Sequence, residues 1–329
     1  MHSMKELQTF FLLASASAFS SCNVPSRTSF SLHATTVKDI TVAITDKKSK
    51  TWTIDAAHNL KKYGVCTLTS EKETNLISHS SCDAVNQAMT NHLESLHFKI
   101  ENRGIDPTGM QDGPYRFREV VCRDGCPRFD VPIPWSGSDD DDENTKEIYD
   151  IRDFVEDPNG VKVVQEFHQE LDEIVQPVVD ALWQVDGNED VNEKDQIDCD
   201  DQASGGRATS AGFLMNQKGS TSQKFHRDGP DAGYINAFVP FVNLSPSLGP
   251  TCILPKTHME QDVKYDECDA ITPLLEKGQI LLFDYRTLHK GLGNSHEDGM
   301  SRTLAYVVYT KGSITDVHNF PDALTLEYD

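Results

Sequence analysis

The second half of the chain consists of short apolar runs separated by turn-forming residues. From residue 207 onward these runs include GYINAFVPFVNLS, GQILLFDYRTLH and SRTLAYVVYTKG, with Gly, Pro, Asn and Asp between them. Runs of this length, without an intervening helix of βαβ size, predict an antiparallel sandwich or barrel. The pattern therefore favours a mainly β fold with flanking helices, of the double-stranded β-helix (jelly-roll, cupin-like) barrel type.

The first half of the chain mixes helical and extended patterns. TVAITDKKSKTWTI alternates like a strand, and a short amphipathic helix from Asp55 ends at Tyr63-Gly64 before another strand. Helical spacing recurs over about 71–96 and over 161–183, where Pro177 is expected to interrupt or restart the helix. These segments predict the helices that flank the β core.

Two tracts of the chain are polar and strongly acidic, at about 136–146 and 186–203. The run SGSDDDDEN lacks the ligand spacing and central glycine of an EF-hand, so a solvated loop is favoured over a calcium site. Both tracts are therefore predicted to be surface insertions in a single domain over 37–329, whose metal-binding core spans about 207–312.

Residues 1–36 have the composition of a targeting presequence. Lys5, a short apolar run and an Ala-Ser-Ala site are typical of a secretory signal, and the hydroxyl-rich stretch that follows has no acid before Asp39. The pair resembles the bipartite plastid presequence of diatoms and related algae, with plain secretion to the endomembrane system as the alternative. No later run approaches eighteen apolar residues, so no permanent membrane anchor is expected.

The charge balance limits the partners of the protein. Asp and Glu number 52 against 30 Lys and Arg, a net charge of −22. Such a field repels phosphate backbones and anionic lipid surfaces, which argues against nucleic acid and membranes as partners. It favours a small-molecule substrate, and among these an amine- or amino-acid-derived one. The eight cysteines are interpreted as free or structural thiols, because CRDGC has no second Cys or His pair to complete a zinc site.

The stretch QKFHRDGPDAGY carries a candidate metal motif. His226 and Asp228 are two positions apart, so on extended backbone their side chains project to the same face. His289 closes GQILLFDYRTLH, 63 residues further on (289 − 226). His-x-Asp with a distal His is the facial triad of non-haem Fe(II) oxygenases. Each residue alone has an ordinary surface interpretation, but their order on a β-rich background favours the metal site.

Arg302 is the candidate anchor for an anionic co-substrate. It lies 13 residues after His289 (302 − 289), at the start of the next apolar run, and the connection GLGNSHEDGM suits a turn. A 2-oxo acid can chelate Fe(II), and the second carboxylate of 2-oxoglutarate is best held by a planar, bidentate guanidinium.

Taken together, these motifs resemble the phytanoyl-CoA dioxygenase family of Fe(II)- and 2-oxoglutarate-dependent oxygenases. The resemblance covers about 207–312 and rests on QKFHRDG, LGPTCILPKTH, KGQILLFDYRTLHKGLGN and SRTLAYVVYT. It implies an enzyme that uses Fe(II), 2-oxoglutarate and dioxygen. The implied iron ligands are His226, Asp228 and His289; the implied 2-oxoglutarate contacts are Arg302, Gln223 and, more weakly, Asn216.

Two departures from the family pattern bear on the site. Lys256-Thr257 replaces the usual Gly-Ser before His258, which is interpreted as structural, and Gly291 stands where some relatives carry a hydroxyl. The carboxylate of Asp228 favours hydroxylation, desaturation or ring closure over halogenation, because halogenases of this superfamily replace it with a small residue. A ring-forming enzyme similar to the kainoid type is one expectation.

Two other classes of protein stay open at this point. One is a non-catalytic jelly-roll that binds a metal or small ligand, against which Arg302 argues. The other is a secreted binding protein with disulfides.

Overall fold

The computed structural model describes residues 35–47, 49, 51–70, 75–133, 158–186, 205–259, 264–312, 314 and 326. The predicted presequence lies outside this part of the chain except for its last two residues. The acidic tract at 136–146 and nearly all of 186–203 lie outside it too, so the predicted domain organisation is not tested. None of the helices in the described ranges is both long and apolar enough to cross a membrane.

The described residues form three α-helices and eleven strands. The helices are α1 (Thr51–Tyr63), α2 (His79–Asn102) and α3 (Pro158–Asp186). The strands are β1 (Thr41–Ile44), β2 (Val65–Ser70), β3 (Tyr115–Arg116), β4 (Val121–Cys122), β5 (Arg128–Ile133), β6 (Gly206–Asn216), β7 (Tyr234–Pro240), β8 (Thr251–Ile253), β9 (Ile280–Asp284), β10 (His289–Gly291) and β11 (Arg302–Lys311).

Two expectations about the first half of the chain are wrong in detail. Only β1 of the predicted strand TVAITDKKSKTWTI is extended, because TWTI already forms the first turn of α1. Helix α3 continues through Pro177 rather than restarting there. Its apolar residues Ile174, Val175, Val178 and Val179 are all buried, and this tertiary packing offsets the backbone hydrogen bond that a proline removes.

The strands form a large sheet and a small one. The large sheet has the order β1-β2-β9-β7-β11-β6-β5-β4-β3, and only its β1–β2 pair is parallel. The small sheet pairs β8 with β10 and is widened by bridges from Ile271 to Ile253 and from His226 to His289. This arrangement confirms the predicted mainly β, double-stranded β-helix type of fold, although the described strands form two sheets rather than a closed barrel.

The central strands of the large sheet bury one set of side chains against the helices and the other set on the face toward the small sheet. Phe129, Phe213, Leu282 and Val307 belong to the core that includes residues of all three helices. On the opposite, inner face, Val65, Leu281 and Phe283 pack with Ile253 of the small sheet. The period of two along each strand produces this division.

The inner face also buries polar and charged side chains. Arg128 and Asp130 of β5, Asn216 of β6 and Arg302 of β11 all lie on it and are buried. Buried charges are costly unless they are paired or bind a ligand, so this face is where a functional site is expected.

Candidate metal centre

Three predicted ligands converge at the edge of the small sheet. His289 is the first residue of β10, and it exchanges two backbone hydrogen bonds of 2.9 Å with His226. Asp228 follows two residues after His226, and its backbone N–H donates to the carbonyl of Tyr285 at 3.0 Å. The candidate ligand atoms of the three side chains all lie within 4.8 Å of one another. Backbone pairing therefore brings together residues that are 63 positions apart.

Hydrogen bonds orient the three side chains toward a common point. The Nδ1 atoms of His226 and His289 each lie 3.0 Å from a carbonyl oxygen, that of Lys224 and that of Thr287. A carbonyl only accepts, so each Nδ1 carries the hydrogen and each Nε2 has its lone pair available. These Nε2 atoms lie 3.8 and 3.5 Å from Oδ1 of Asp228.

The remaining carboxylate oxygen of Asp228 is held by Asn236 of β7. The Asn236 amide donates from Nδ2 to Oδ2 at 2.7 Å, so that Oδ1 faces the two imidazoles. Burial and the neighbouring His289 lower the pKa of His226, which keeps this ring neutral as a metal ligand must be. Two imidazole nitrogens and one carboxylate oxygen form a donor set that fits a divalent transition metal and occupies one side of it.

A second polar group crosses three neighbouring strands beside this centre. Arg128, Asn216 and Arg302 are register partners on β5, β6 and β11. Both arginines are 3% exposed. With its amide oxygen turned toward them, Asn216 accepts hydrogen bonds from Nη2 of Arg302 at 3.0 Å and from Nε of Arg128 at 3.2 Å. We call these three residues the arginine pocket.

The charge of the arginine pocket is not balanced by buried acids. Within the described ranges Arg302 has no carboxylate partner and donates instead to the carbonyl of Gly249 at 2.5 Å. Arg128 donates to the carbonyl of Thr221 at 2.6 Å, and its one carboxylate contact in the described part of the chain is the exposed Asp124 at 3.8 Å. Burial, with the nearby charge of Arg128, lowers the pKa of Arg302 to about 9. Two buried cations around one amide are suited to binding an anion.

Gln223 and Gly291 connect the arginine pocket to the metal centre. Gly291 lies two residues after His289 on β10, about 7 Å along the strand. Its N–H donates to Oε1 of Gln223 at 3.0 Å. A Cβ built on Gly291 would lie 3.0 Å from that oxygen and 3.6 Å from Cζ of Arg128. The space that a hydroxyl-bearing side chain would enter is therefore already lined by Gln223 and Arg128.

The structure thus brings together all six residues that the sequence predicts for the site, although their functional roles stay predictions. It adds Arg128 and, on the same inner face, Asp130. A signal for both was present in PRFDVPIP, where the charged Arg128 and Asp130 alternate with the apolar Phe129 and Val131. Such alternation places two charges on the face opposite the core, which is unusual for a buried strand.

Arg227 and His258 support the site from outside it. The Arg227 guanidinium donates to the carbonyls of Thr257 and Arg286, on the side away from the metal ligands. Nε2 of His258 lies 3.1 Å from the carbonyl of Lys61, at the end of α1. Gly64 has φ +71°, and a Cβ there would lie 2.4 Å from Nδ1 of His258. The end of α1 can therefore approach His258 this closely only because residue 64 is a glycine.

Comparisons with known proteins describe the fold only in outline. No protein-family model matches the chain, and no curated protein matches it. Among solved structures it is similar to AviO1 from Streptomyces viridochromogenes Tue57, with a TM-score of 0.48 and 12% identity over 80% of this chain and 96% of that one. It is also similar to the non-heme alpha ketoglutarate dependent carbocyclase SnoK from nogalamycin biosynthesis, with a TM-score of 0.46 and 13% identity over 78% and 83%.

A further similar structure is the non-heme alpha ketoglutarate dependent epimerase SnoN from nogalamycin biosynthesis, with a TM-score of 0.47 and 11% identity over 80% and 84%. At this level of similarity, the chemistry of the chain has to be inferred from its own residues. The resemblance to the phytanoyl-CoA dioxygenase family stays a prediction from its motifs.

Proposed function

We propose that the protein is an Fe(II)- and 2-oxoglutarate-dependent dioxygenase that oxidises an unactivated C–H bond of a small metabolite, with release of succinate and CO2. The observation that carries the proposal is the convergence of Nε2 of His226, Oδ1 of Asp228 and Nε2 of His289 beside the arginine pocket. Either half alone has other interpretations, but a three-ligand metal site next to buried, unbalanced cations fits a metal that shares its site with a dicarboxylate.

Fe(II) and 2-oxoglutarate, when bound, supply the activation of dioxygen and two of the four electrons needed to reduce it. The side chains have simpler tasks. His226, Asp228 and His289 hold the metal from one side and leave the opposite side open. Arg302 and Arg128 hold the distal carboxylate of the co-substrate, and Asn216 keeps the two guanidiniums apart and correctly turned. Phe283, whose ring centroid lies 4.7 Å from that of His289, excludes water from one flank of the centre.

The carboxylate of Asp228 limits the types of oxidation reaction that we propose. Its carboxylate occupies the position that halogenases of this superfamily leave open for chloride, so we propose hydroxylation, desaturation or ring closure. We further propose membership of the phytanoyl-CoA dioxygenase-like group, on the ordered motifs of residues 207–312. A role in secondary metabolism is part of this proposal. The alternative, a binding protein without turnover, does not account for the arginine pocket.

The proposal is tested with purified protein under anaerobic conditions. Addition of Fe(II) and then 2-oxoglutarate should produce the visible charge-transfer band of the chelate, and admission of oxygen should yield succinate. His226→Ala and Asp228→Ala should lose the metal, whereas His79→Ala, a histidine outside the site that contacts the carbonyl of Lys277, should keep it.

The variant Arg302→Ala tests the arginine pocket independently of the metal centre. It should raise the concentration of 2-oxoglutarate required for half-saturation while leaving metal affinity unchanged. Metal binding that survives in both His226→Ala and Asp228→Ala would refute the metal centre. Unchanged 2-oxoglutarate affinity in Arg302→Ala would refute the co-substrate role of the arginine pocket.

A further inference from the structure

A third arginine, Arg123, lies on the β4–β5 hairpin that also carries Arg128. The hairpin turns at Asp124 and Gly125, which have φ of 62° and 58°, and Arg123 N–H donates to the carbonyl of Arg128 at 3.0 Å. Positive φ at both central residues is the geometry of a tight hairpin turn. The CRDGC motif places Asp124 and Gly125 at the centre of this turn, between the buried free thiols of Cys122 and Cys126.

The Arg123 side chain is fixed by the buried acid Asp130. Its Nη2 donates to Oδ2 of Asp130 at 2.5 Å, and the hydroxyl of Tyr306 donates to Oδ1 at 3.0 Å. The two partners differ in exposure, since 41% of the Arg123 side chain but only 5% of the Asp130 side chain is accessible. The guanidinium is thus the exposed member of the ion pair and the carboxylate the buried one, so a ligand arriving here contacts the cation first.

An aromatic surface connects this ion pair with the metal centre. Tyr306 packs in one cluster with Tyr234, Tyr285 and Val308, and the rings of Tyr234 and Tyr285 are stacked 5.1 Å apart. The carbonyl of Tyr285 accepts the backbone N–H of Asp228. We call this cluster the tyrosine floor. It extends from Tyr306, which donates to Asp130, to Tyr285, whose carbonyl accepts from the predicted metal ligand Asp228.

We propose that Arg123 binds a carboxylate of the substrate, whose hydrocarbon portion lies over the tyrosine floor with the oxidised carbon toward the metal centre. The substrate class is thus a small organic acid. This inference rests on the proposed function, since it assigns the substrate of the same site. A guanidinium binds carboxylates through charge-assisted hydrogen bonds, and the ion pair with Asp130 holds Arg123 in place before the ligand arrives.

The charge of the inner face around the metal centre differs in sign from the net charge of the whole chain. The net charge of −22 favours a cationic substrate, but among the residues named above three arginines (Arg123, Arg128 and Arg302) stand against two carboxylates (Asp130 and Asp228). The nearest exposed acid of the hairpin, Asp124, is turned to Arg128. The predicted amine- or amino-acid-derived substrate is therefore expected to carry a carboxylate, as an amino-acid-derived molecule does.

The test compares an acid with its neutral amide. 4-Phenylbutanoate and 4-phenylbutanamide have the same carbon skeleton and an aryl group for the tyrosine floor. Their binding to the full-length protein is measured by anaerobic calorimetry in saturating Fe(II) and 2-oxoglutarate, so that the arginine pocket is already filled. We expect wild type to bind the acid roughly tenfold more tightly than the amide, as for a charge-assisted pair.

Variants at Arg123 assign that preference to a side chain. Arg123→Gln should reduce the acid-to-amide ratio to about one, and Arg123→Lys should give an intermediate ratio because it keeps the charge but loses the fork. Lys162→Gln removes one positive charge from the exposed face of α3 and should leave the ratio unchanged. Metal and 2-oxoglutarate affinities should be the same in all four proteins.

The outcomes separate this inference from the proposed function. A wild-type ratio near one, or a ratio that stays the same in Arg123→Gln, overturns the inference. Should the glutamine variant fail to fold, an unchanged ratio in Arg123→Lys overturns it instead. Wild-type protein that does not bind 2-oxoglutarate contradicts the proposed function, whereas bound 2-oxoglutarate with a ratio independent of Arg123 contradicts only the assignment of Arg123.

Discussion

The amide of Asn236 offers the sharpest test of the metal centre, because it touches the centre without being a ligand. It is buried on β7 and makes one described side-chain hydrogen bond, from Nδ2 to Oδ2 of Asp228 at 2.7 Å. Asn236→Leu removes this bond at similar side-chain size. Asp228 would then be free to rotate, and Oδ1 would no longer be held toward His226 and His289.

The expected loss can be worked from that single contact. A hydrogen bond to a charged group contributes about 1.5–3 kcal/mol. The corresponding loss of metal affinity is about 10- to 100-fold, which is also the usual effect of removing a partner that orients a metal ligand. Global stability should change little, because Oδ1 of Asn236 is buried and has no hydrogen-bond partner among the described residues, so its removal relieves that cost.

The assay is an anaerobic titration with Co(II) in place of Fe(II), against a competing chelator, together with urea unfolding of the metal-free protein. Thr303→Val is the control, since Thr303 lies on the helix-facing side of β11 and its buried hydroxyl also has no partner. Affinity in Asn236→Leu within about twofold of wild type, in a protein that unfolds normally, would show that Asn236 does not position Asp228.

Three further predictions concern stability and targeting. Gly64→Ala should lower the free energy of unfolding in urea by more than the roughly 1–3 kcal/mol that a left-handed backbone costs a residue with a side chain, because the new Cβ would also collide with His258. Gly104→Ala is the control for the backbone cost alone, since Gly104 has φ +74° and open space around it. Burial lowers the pKa of His168 to about 3, so below pH 6.5 the unfolded chain binds a proton that the folded one does not. Stability should therefore fall between pH 6.5 and 4 by up to about 1.4 kcal/mol per pH unit, and less steeply in His168→Leu; equal slopes would refute this. A fluorescent fusion of residues 1–36 should enter the plastid, and a signal confined to the secretory route would favour the alternative.

The three candidate metal ligands could be proposed from the sequence because their signal is local. His226 and Asp228 share a face by the period of two, and His289 ends an apolar run of unmistakable strand character. Arg302 was predictable for the same reason, at the start of the next run. The spacing of these residues in the sequence does not specify which of them pair. The structure shows that the backbones of His226 and His289 pair directly.

The roles of Arg123 and Arg128 were not predictable, although the alternation in PRFDVPIP marks Arg128 as unusual, because the residues that give them a role lie on other strands. Arg128 acquires its role from Asn216 and Arg302, and Arg123 from Asp130 and Tyr306. In the sequence both are charged residues near a turn, where an exposed arginine is ordinary. The path of α3 through Pro177 was missed similarly, since only burial of its neighbours shows why the helix continues.

The arginine pocket has a consequence for folding as well as for binding. Asn216 separates two like charges only while β6 keeps its register with β5 and β11. A slip by one residue would turn Asn216 toward the helices and place the thioether of Met215 between Arg128 and Arg302. The mispaired sheet would then bury two cations with no acceptor between them, a heavier penalty than the native arrangement carries. The residues that make this face costly thereby also favour the one strand alignment that assembles the arginine pocket.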